Sequence, residues 1–432
     1  MRCVSVVKSL MQSLLVCALL IVFGCGGGGD GGGGGEVQAP AATGGTDSAG
    51  AQRVRDEAFA ILQQGYLFPE RLPRTAGAFA NVDELVRSLG DRFTVHLSAT
   101  GFANFLGDVQ GRVSGIGVVI SQETGTGRVL ITEVVPNSPA ARAGLMAGDE
   151  IVEIDGTSVM GLSLEEVSGR IRGPTGTQVS LGLRQAGQSL MTTITRQVLV
   201  IPSLTAQLLA NGIGYIRQTT FSALSTGELL GVLQMFKAAG VSGIIFDLRG
   251  NPGGVEQAAQ EEADLFIADQ RPPGFITGLT IGVDGCTSAH LTQVLVRIFD
   301  RNGQETDCVA DDFNFFTLRA YSPTDRAVDV PLVILVDQMT ASAAELLTAA
   351  LRENSTLPAV TVIGTRTFGK GLIQQIQRLS DGSGLIFVIR EFRTPKGNRI
   401  ADIGLAPDIV VTDDPATPAD EPLERGKAQL RR

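Results

Sequence analysis

Histidine is almost missing from this chain of 432 residues: His96 and His290 are the only two. A histidine-rich metal site is excluded, and a histidine-based catalytic triad has few candidates. The five cysteines, at positions 3, 17, 25, 286 and 308, show none of the paired spacing that holds zinc. Lysine is scarce as well, with five against thirty arginines. A genome that favours arginine codons accounts for the ratio. It still marks the remaining lysines as places where arginine does not serve, because lysine can give up its proton in a protein and arginine cannot. No basic block occurs and the formal net charge is −10, which argues against nucleic-acid binding. What is present, 43% hydrophobic and 19% charged residues, suits a globular protein with sizeable cores. At about 150 residues per domain, the length predicts about three structural units.

Residues 1–24 read as a secretory signal. Arg2 and Lys8 make a cationic start, Ser9–Phe23 is mostly apolar, and the core Leu14–Phe23 is short for a membrane span. The segment ends in Val22-Phe23-Gly24-Cys25, which resembles the lipobox of bacterial lipoproteins and implies lipidation of Cys25. Phe23 is bulkier than that pattern prefers. Ordinary signal cleavage and an uncleaved anchor are the alternatives. Loss of 1–24 would leave a charge of −12. Residues 25–50, rich in Gly with Ala, Pro, Thr and Ser, can form no core and read as a flexible tether. The expected location is the periplasmic side of the cell envelope, lipid-anchored, with the outer membrane favoured because no Asp follows Cys25. In that oxidising compartment Cys286 and Cys308 are expected to form a disulfide. Two reduced thiols are the alternative.

Residues 51–110 read as a helical arm, with apolar residues at helical spacing in Val54–Gln64 and Val82–Leu89. No chemistry is visible in it, and His96 reads as structural. Residues 111–198 change to short β-rich runs at Gly117–Ser121, Val129–Val135, Glu150–Ile154, Val179–Leu183 and Leu190–Ile194. Short helices are expected near Pro139–Arg142 and Leu164–Ile171. Residues 199–415 alternate strand with helix, as an α/β unit does. Residues 416–432 read as an acidic-then-basic tail.

Three motifs in the last block could carry chemistry. Asp247-Leu248-Arg249-Gly250-Asn251-Pro252-Gly253-Gly254 ends a strand and opens a helix, so its backbone N–H groups suit a phosphate or an oxyanion. A tight turn needing glycine for geometry alone fits equally. Thr340-Ala341-Ser342-Ala343-Ala344-Glu345 also lies between a strand and a helix. Ser342, flanked by alanines, fits a nucleophile, and the Ala343 N–H an oxyanion donor. A plain helix N-cap is the commoner use of such a residue. Gly364-Thr365-Arg366-Thr367-Phe368-Gly369-Lys370-Gly371 nearly spells a P-loop, but Gly371 lacks the hydroxyl that magnesium needs, and a strand-like run follows instead of a helix. Lys370 fits better as a base for Ser342: burial lowers a lysine pKa and makes the neutral amine available. Gln374, four residues on, could orient that amine without adding charge. A solvated surface lysine is the ordinary alternative.

Two resemblances follow from these runs. Gly115-Ile116-Gly117-Val118, Val134–Ala140, Gly144–Asp149 and Ile154-Asp155-Gly156 resemble a PDZ domain of the kind found in bacterial proteases. The resemblance implies that Gly115, Ile116, Gly117 and Val118 hold a peptide's C-terminal carboxylate, with Val167 and Ile171 walling an apolar pocket. These apolar side chains could equally just fill a small core. The PDZ-like block, then Gly212–Arg217, Asp247–Gly254, Thr340–Glu345, Thr367–Gly371 and Gly404-Leu405-Ala406-Pro407-Asp408, in that order, resemble the carboxy-terminal processing, or tail-specific, proteases of the S41 serine peptidase family.

That resemblance implies a mixed α/β fold: a crotonase-like ββα protease core with an inserted PDZ domain and an N-terminal helical arm. It implies Ser342 as nucleophile, Lys370 as general base, Gln374 as its support, and an oxyanion hole at Ala343 and Gly253, with no metal and no cofactor. Its expected substrates are proteins with flexible apolar C-terminal tails, and it leaves a homo-oligomer or an adaptor open. The segment 271–330 is longer than the family pattern carries. A non-catalytic PDZ lipoprotein that binds protein C-termini is the alternative function, and the joint presence of Ser342, Lys370 and Gln374 argues against it.

Overall fold

The structure, a computed structural model, describes residues 48–123, 125–185, 187–267, 279–282, 328–354, 357–414 and 416–431. The expected lipidation site Cys25 and the expected Cys286–Cys308 pair lie outside the described residues.

The arm comprises α1 (Ser48–Gly65), α2 (Val82–Ser88), the short strand β1 (Val95–Leu97) and α3 (Ala99–Val109). Val54, Ala58 and Leu62 recur every fourth residue on α1, so they share one face and bury it against Leu85, Val86 and Leu89. Asn81 caps α2 by accepting from the Glu84 N–H. His96 is structural, as expected: its ring bonds Asp83 at 2.9 Å and Ser383 at 3.0 Å.

The next unit runs through β2 (Arg112–Gly115), β3 (Val118–Gln122), β4 (Val129–Val134), α4 (Pro139–Arg142), β5 (Glu150–Ile154), β6 (Thr157–Ser158), α5 (Leu164–Ile171), β7 (Gln178–Gln185), β8 (Gln188–Thr195) and β9 (Gln197–Val200). Its antiparallel sheet has the order β3-β4-β5-β7-β8, with β6 beside β5, and places β3 at the edge next to α5. Strands β2 and β9 pair with each other at the two ends of the unit. Arg172, just past α5, bonds Asp108 of the arm at 3.0 Å.

The third unit holds β10 (Leu204–Leu209), β11 (Ile213–Gln218), α6 (Ser225–Ala239), β12 (Gly243–Asp247), α7 (Glu256–Asp264), β13 (Leu279–Gly282), β14 (Leu332–Val336), α8 (Ala343–Asn354), β15 (Val360–Gly364), β16 (Leu372–Arg378), β17 (Gly384–Arg393), β18 (Ile409–Val410) and α9 (Glu421–Leu430). Its main sheet has the order β10-β11-β12-β14-β15-β18 and is parallel from β11 onward. Strands β12 and β14 are buried along their whole length, as a parallel sheet covered on both faces requires. Helices α6, α7 and α8 bury Leu229, Leu233, Phe236, Ala259 and Leu347 in the core on one face. On the other face lies α9, where the sequence reading left only a tail. Asp420 caps it, Leu423 and Leu430 join the apolar cluster of the sheet, and Gly426 brings the helix backbone close to Val333. A second sheet is built on β17, which pairs with β16, with β13 and with β1 of the arm.

Candidate active site

Three neighbouring strands of the main sheet, β12, β14 and β15, release their chains at the same end, and each of the three motifs follows one of them. In open parallel sheets the carboxyl ends of the strands are where functional loops converge. The loop after β12 and the turn after β14 are stitched together. Asp337 Oδ1 accepts from the N–H groups of Gly250, Met339 and Thr340, each at 3.0 Å. The Thr340 hydroxyl donates to Leu248 O at 2.9 Å, and Ala341 N donates to Asn251 O at 2.9 Å.

Ser342 sits in this turn with φ of +54°, a left-handed conformation that a residue with a side chain adopts at a cost. Ser342 N donates to Glu345 Oε2 at 3.0 Å, which is half of a capping box. The other half is not formed: no hydrogen bond among the described residues engages the Ser342 hydroxyl. The N-cap role therefore leaves that hydroxyl unspent. Ala343 is the first residue of α8, where helical N–H groups have no acceptor within the helix. Gly253 lies directly against this turn. A Cβ there would stand 2.7 Å from Ser342 Cβ and 2.9 Å from Ala343 N, and its φ is +100°. Only glycine lets the two loops approach this closely.

The Gly253 N–H departs from expectation. It donates to Asn251 Oδ1 at 2.8 Å, so in this structure it is spent inside its own loop and not offered to an oxyanion.

The loop after β15 carries Lys370, which is 5% exposed. Its Nζ donates to Gln374 Oε1 at 2.7 Å, and Gln374 lies at the start of β16. Burial lowers the Lys370 pKa to about 8, helped by Arg92 and opposed by the carboxylates of Glu345 and Asp91. The side chain is neither solvated nor paired with an acid through a hydrogen bond. No hydrogen bond among the described residues joins Lys370 to Ser342.

Glu345 was quoted in the sequence only as the end of a motif, and the structure gives it a larger part. Fully buried, it accepts from Ser342 N, Gly369 N, Lys370 N and the Thr367 hydroxyl. One carboxylate thus ties the serine turn to the lysine loop. Burial pushes its pKa up, against the hydrogen bonds it accepts. The Ser-x-x-Glu spacing was the available signal. The Gly404-Leu405 motif braces the same loop, since Thr367 and Leu405 exchange hydrogen bonds at 2.7 and 3.1 Å.

In the middle unit, Gly117 has φ of +88° and faces Ser138 so closely that a Cβ would collide with it. Its carbonyl and that of Ile116 bond the segment leading into α4. Gly115 ends β2 and Val118 opens the edge strand β3. Ile116, Val167 and Ile171 are buried together in the core of the unit, with Val118 packed against them.

Residues 212–411 match peptidase family S41, and residues 130–185 match the PDZ domain. A carboxyl-terminal-processing protease of Synechocystis sp. is 34% identical over 339 residues, covering 77% of this chain and 70% of the relative. This chain belongs to peptidase family S41. A chloroplastic C-terminal processing peptidase of Tetradesmus obliquus is 32% identical, over 81% of this chain and 71% of its own. A carboxy-terminal processing protease of Bacillus subtilis is 29% identical over 75% of this chain and 62% of its own. Among solved structures, an S41-type protein of Bacteroides fragilis superposes with a TM-score of 0.51 at 18% identity, over 87% of this chain and 96% of its own. The S41 member described here is a serine-type peptidase with a mixed α/β fold and a PDZ domain in mid-chain, a module that takes up peptides as an added strand.

Proposed function

We propose that this S41 peptidase is an endopeptidase that cleaves proteins near their C-termini with Ser342 as nucleophile and Lys370 as base. The observation that carries the proposal is the buried Lys370 amine, held by Gln374 on a loop that Glu345 ties to the backbone of Ser342. A neutral Lys370 accepts the proton of the Ser342 hydroxyl as its oxygen adds to the scissile carbonyl, and returns it to the leaving amine. Water then attacks the acyl-serine as Lys370 takes its proton, and Lys370 hands that proton to the departing Ser342 oxygen, which restores the hydroxyl and the neutral amine. The Ala343 N–H, at the start of α8, faces the developing oxyanion, and the Gly253–Gly254 backbone closes the other side. The Gly253 N–H joins only once Asn251 releases it. Gln374 fixes the amine without supplying a charge that would keep it protonated.

A flexible apolar tail is the substrate class that suits a PDZ domain with an open edge strand. The tail would add beside β3, with the Gly115–Val118 segment at its carboxylate. A location on the periplasmic side of the envelope, held by lipid, belongs to the same proposal, and the signal-like segment 1–24 with Val22-Phe23-Gly24-Cys25 supports it. The test is a folded carrier protein bearing an unfolded apolar C-terminal extension, incubated with the enzyme and weighed by intact-mass spectrometry. Shortening by wild type and none by Ser342→Ala is expected. A carrier bound but left whole by wild type would favour the non-catalytic scaffold, and equal shortening by Ser342→Ala would place the nucleophile elsewhere.

A further inference from the structure

The helical arm, silent in the sequence, reaches the lysine. The turn Asp91–Thr94 follows α2; its second half is buried, with Phe93 7% and Thr94 2% exposed, while Arg92 is exposed. Gln374 Nε2 donates to the Phe93 carbonyl at 2.5 Å. The Phe93 ring centroid lies 5.3 Å from Lys370 Nζ. Asp91 holds the turn together: its carboxylate accepts from Phe93 N at 2.9 Å, from the Thr94 hydroxyl at 2.6 Å and from the Tyr66 hydroxyl at 3.1 Å. Thr94 in turn accepts from Val388 N at 3.4 Å, and Val388 is the residue opposite Gln374 in the β16–β17 pair.

A glutamine amide has a donor end and an acceptor end, and something must choose which faces Lys370. A carbonyl can only accept. With the Phe93 carbonyl on one side, the NH2 group must point there, and Oε1 is left for the lysine. The reverse arrangement would set carbonyl against carbonyl at Phe93 and donor against donor at Lys370. One N–H of the neutral amine is then held on Gln374, which keeps its lone pair off that direction and leaves it the two remaining tetrahedral positions.

We infer that Asp91 and Phe93 are positioning residues for the base: Asp91 holds the Phe93 carbonyl where it selects the orientation of Gln374, and Gln374 aims Lys370. The inference rests on Lys370 being the base, as proposed above. Three charged groups act on Lys370 here: Glu345 from α8, with Asp91 and Arg92 from the turn.

The test uses the full chain and a short peptide substrate that does not need the PDZ domain. Asp91→Ala unmoors Phe93 and should lower kcat about tenfold with KM little changed, the loss of about one oriented hydrogen bond. Asp91→Asn keeps an acceptor for Phe93 N, should lose less, and should move the acid limb of kcat/KM to lower pH, because a negative charge that holds the proton on Lys370 is gone. In a Gln374→Ala background, Asp91→Ala should cost nothing more in kcat. A merely structural role would lower thermal stability but leave kcat per folded molecule where it is, and that outcome overturns the inference. So would full additivity of Asp91→Ala with Gln374→Ala. If Asp91→Ala does not fold, the kcat of Asp91→Asn, alone and in the Gln374→Ala background, decides: a loss that disappears in that background supports the inference, and a loss that persists or is absent in both overturns it. Ser342→Ala and Lys370→Arg run alongside: if either stays active, the Ser–Lys reading fails first, whereas if both are dead and the Asp91 variants are normal, only the role of the arm fails.

Discussion

Burial of Lys370 fixes the pH at which this enzyme should switch on. The amine must be neutral to accept a proton, and burial favours the neutral form, so activity is present above its pKa and lost as pH falls through it. An ordinary lysine near 10.5 would be neutral in about one molecule in 3,000 at pH 7; at about 8 it is neutral in about one in 11. Burial therefore multiplies the competent population about 300-fold, equivalent to about 3 kcal/mol at 1.36 kcal/mol per unit. The assay is kcat/KM on an internally quenched peptide from pH 5.5 to 9.5, with circular dichroism at each pH to show the fold intact. The expected profile is a single acid limb with a midpoint near 8 and about a tenfold fall per unit below it. Lys370→Arg keeps the charge but cannot deprotonate, and should lose activity by orders of magnitude at every pH. Its loss should not add to that of Ser342→Ala, since the two residues act as one unit. A limb near 10 would show that burial does not act on the lysine. A limb near 6.5 retained in Lys370→Arg would hand the role to a histidine and refute the dyad.

Gly253→Ala forces a Cβ to within 2.7 Å of Ser342 Cβ and should cost about 100-fold or more in kcat. Near-normal turnover of the folded variant would mean that the two loops can separate harmlessly. Glu262 of α7 is fully buried, with Gln218 donating to it at 3.0 Å, and burial raises its carboxyl from 4.5 to about 8. The folded protein thus holds a proton that the unfolded chain releases, so this contribution is full below pH 4.5 and is lost as pH rises toward 8. Glu262→Gln should flatten that decline in urea melts at pH 5 and pH 8, and an unchanged decline would assign it to other groups. Cys25→Ser should move the protein from the membrane to the soluble fraction with its peptidase activity unchanged, whereas continued membrane retention would indicate an uncleaved anchor.

Elements whose signals are local were legible. Glu150–Ile154, Pro139–Arg142 and Leu164–Ile171 were placed to the residue, because short β runs and helices between glycine turns carry their own punctuation. The proposed pairing of Ser342 with Lys370 came only from the order of motifs; each alone reads as well as a cap or a surface charge. The arm's part in the site was not legible, since Phe93 meets Gln374 across 281 positions and a backbone carbonyl leaves no mark in a sequence. Helix α9 was hidden by Gly426, a poor helix former that close packing on the sheet requires. Its start was written in Asp420-Glu421-Pro422, a cap followed by proline in the first turn.

The pairing of β1 with β17, Val95 against Ile386, gives the protein a schedule as well as a shape. A chain emerging from the ribosome presents Ser342 first, then Lys370 and Gln374. The strand that lies beside Gln374 and receives the arm, Gly384–Arg393, comes only afterwards. Asp420, which clamps Arg249 across 171 positions, comes later still. Until those last segments arrive, Gln374 lacks the strand it pairs with and Arg249 lacks its Asp420 partner. The geometry on which the proposed dyad rests is thus closed by the segments of the chain that are made last.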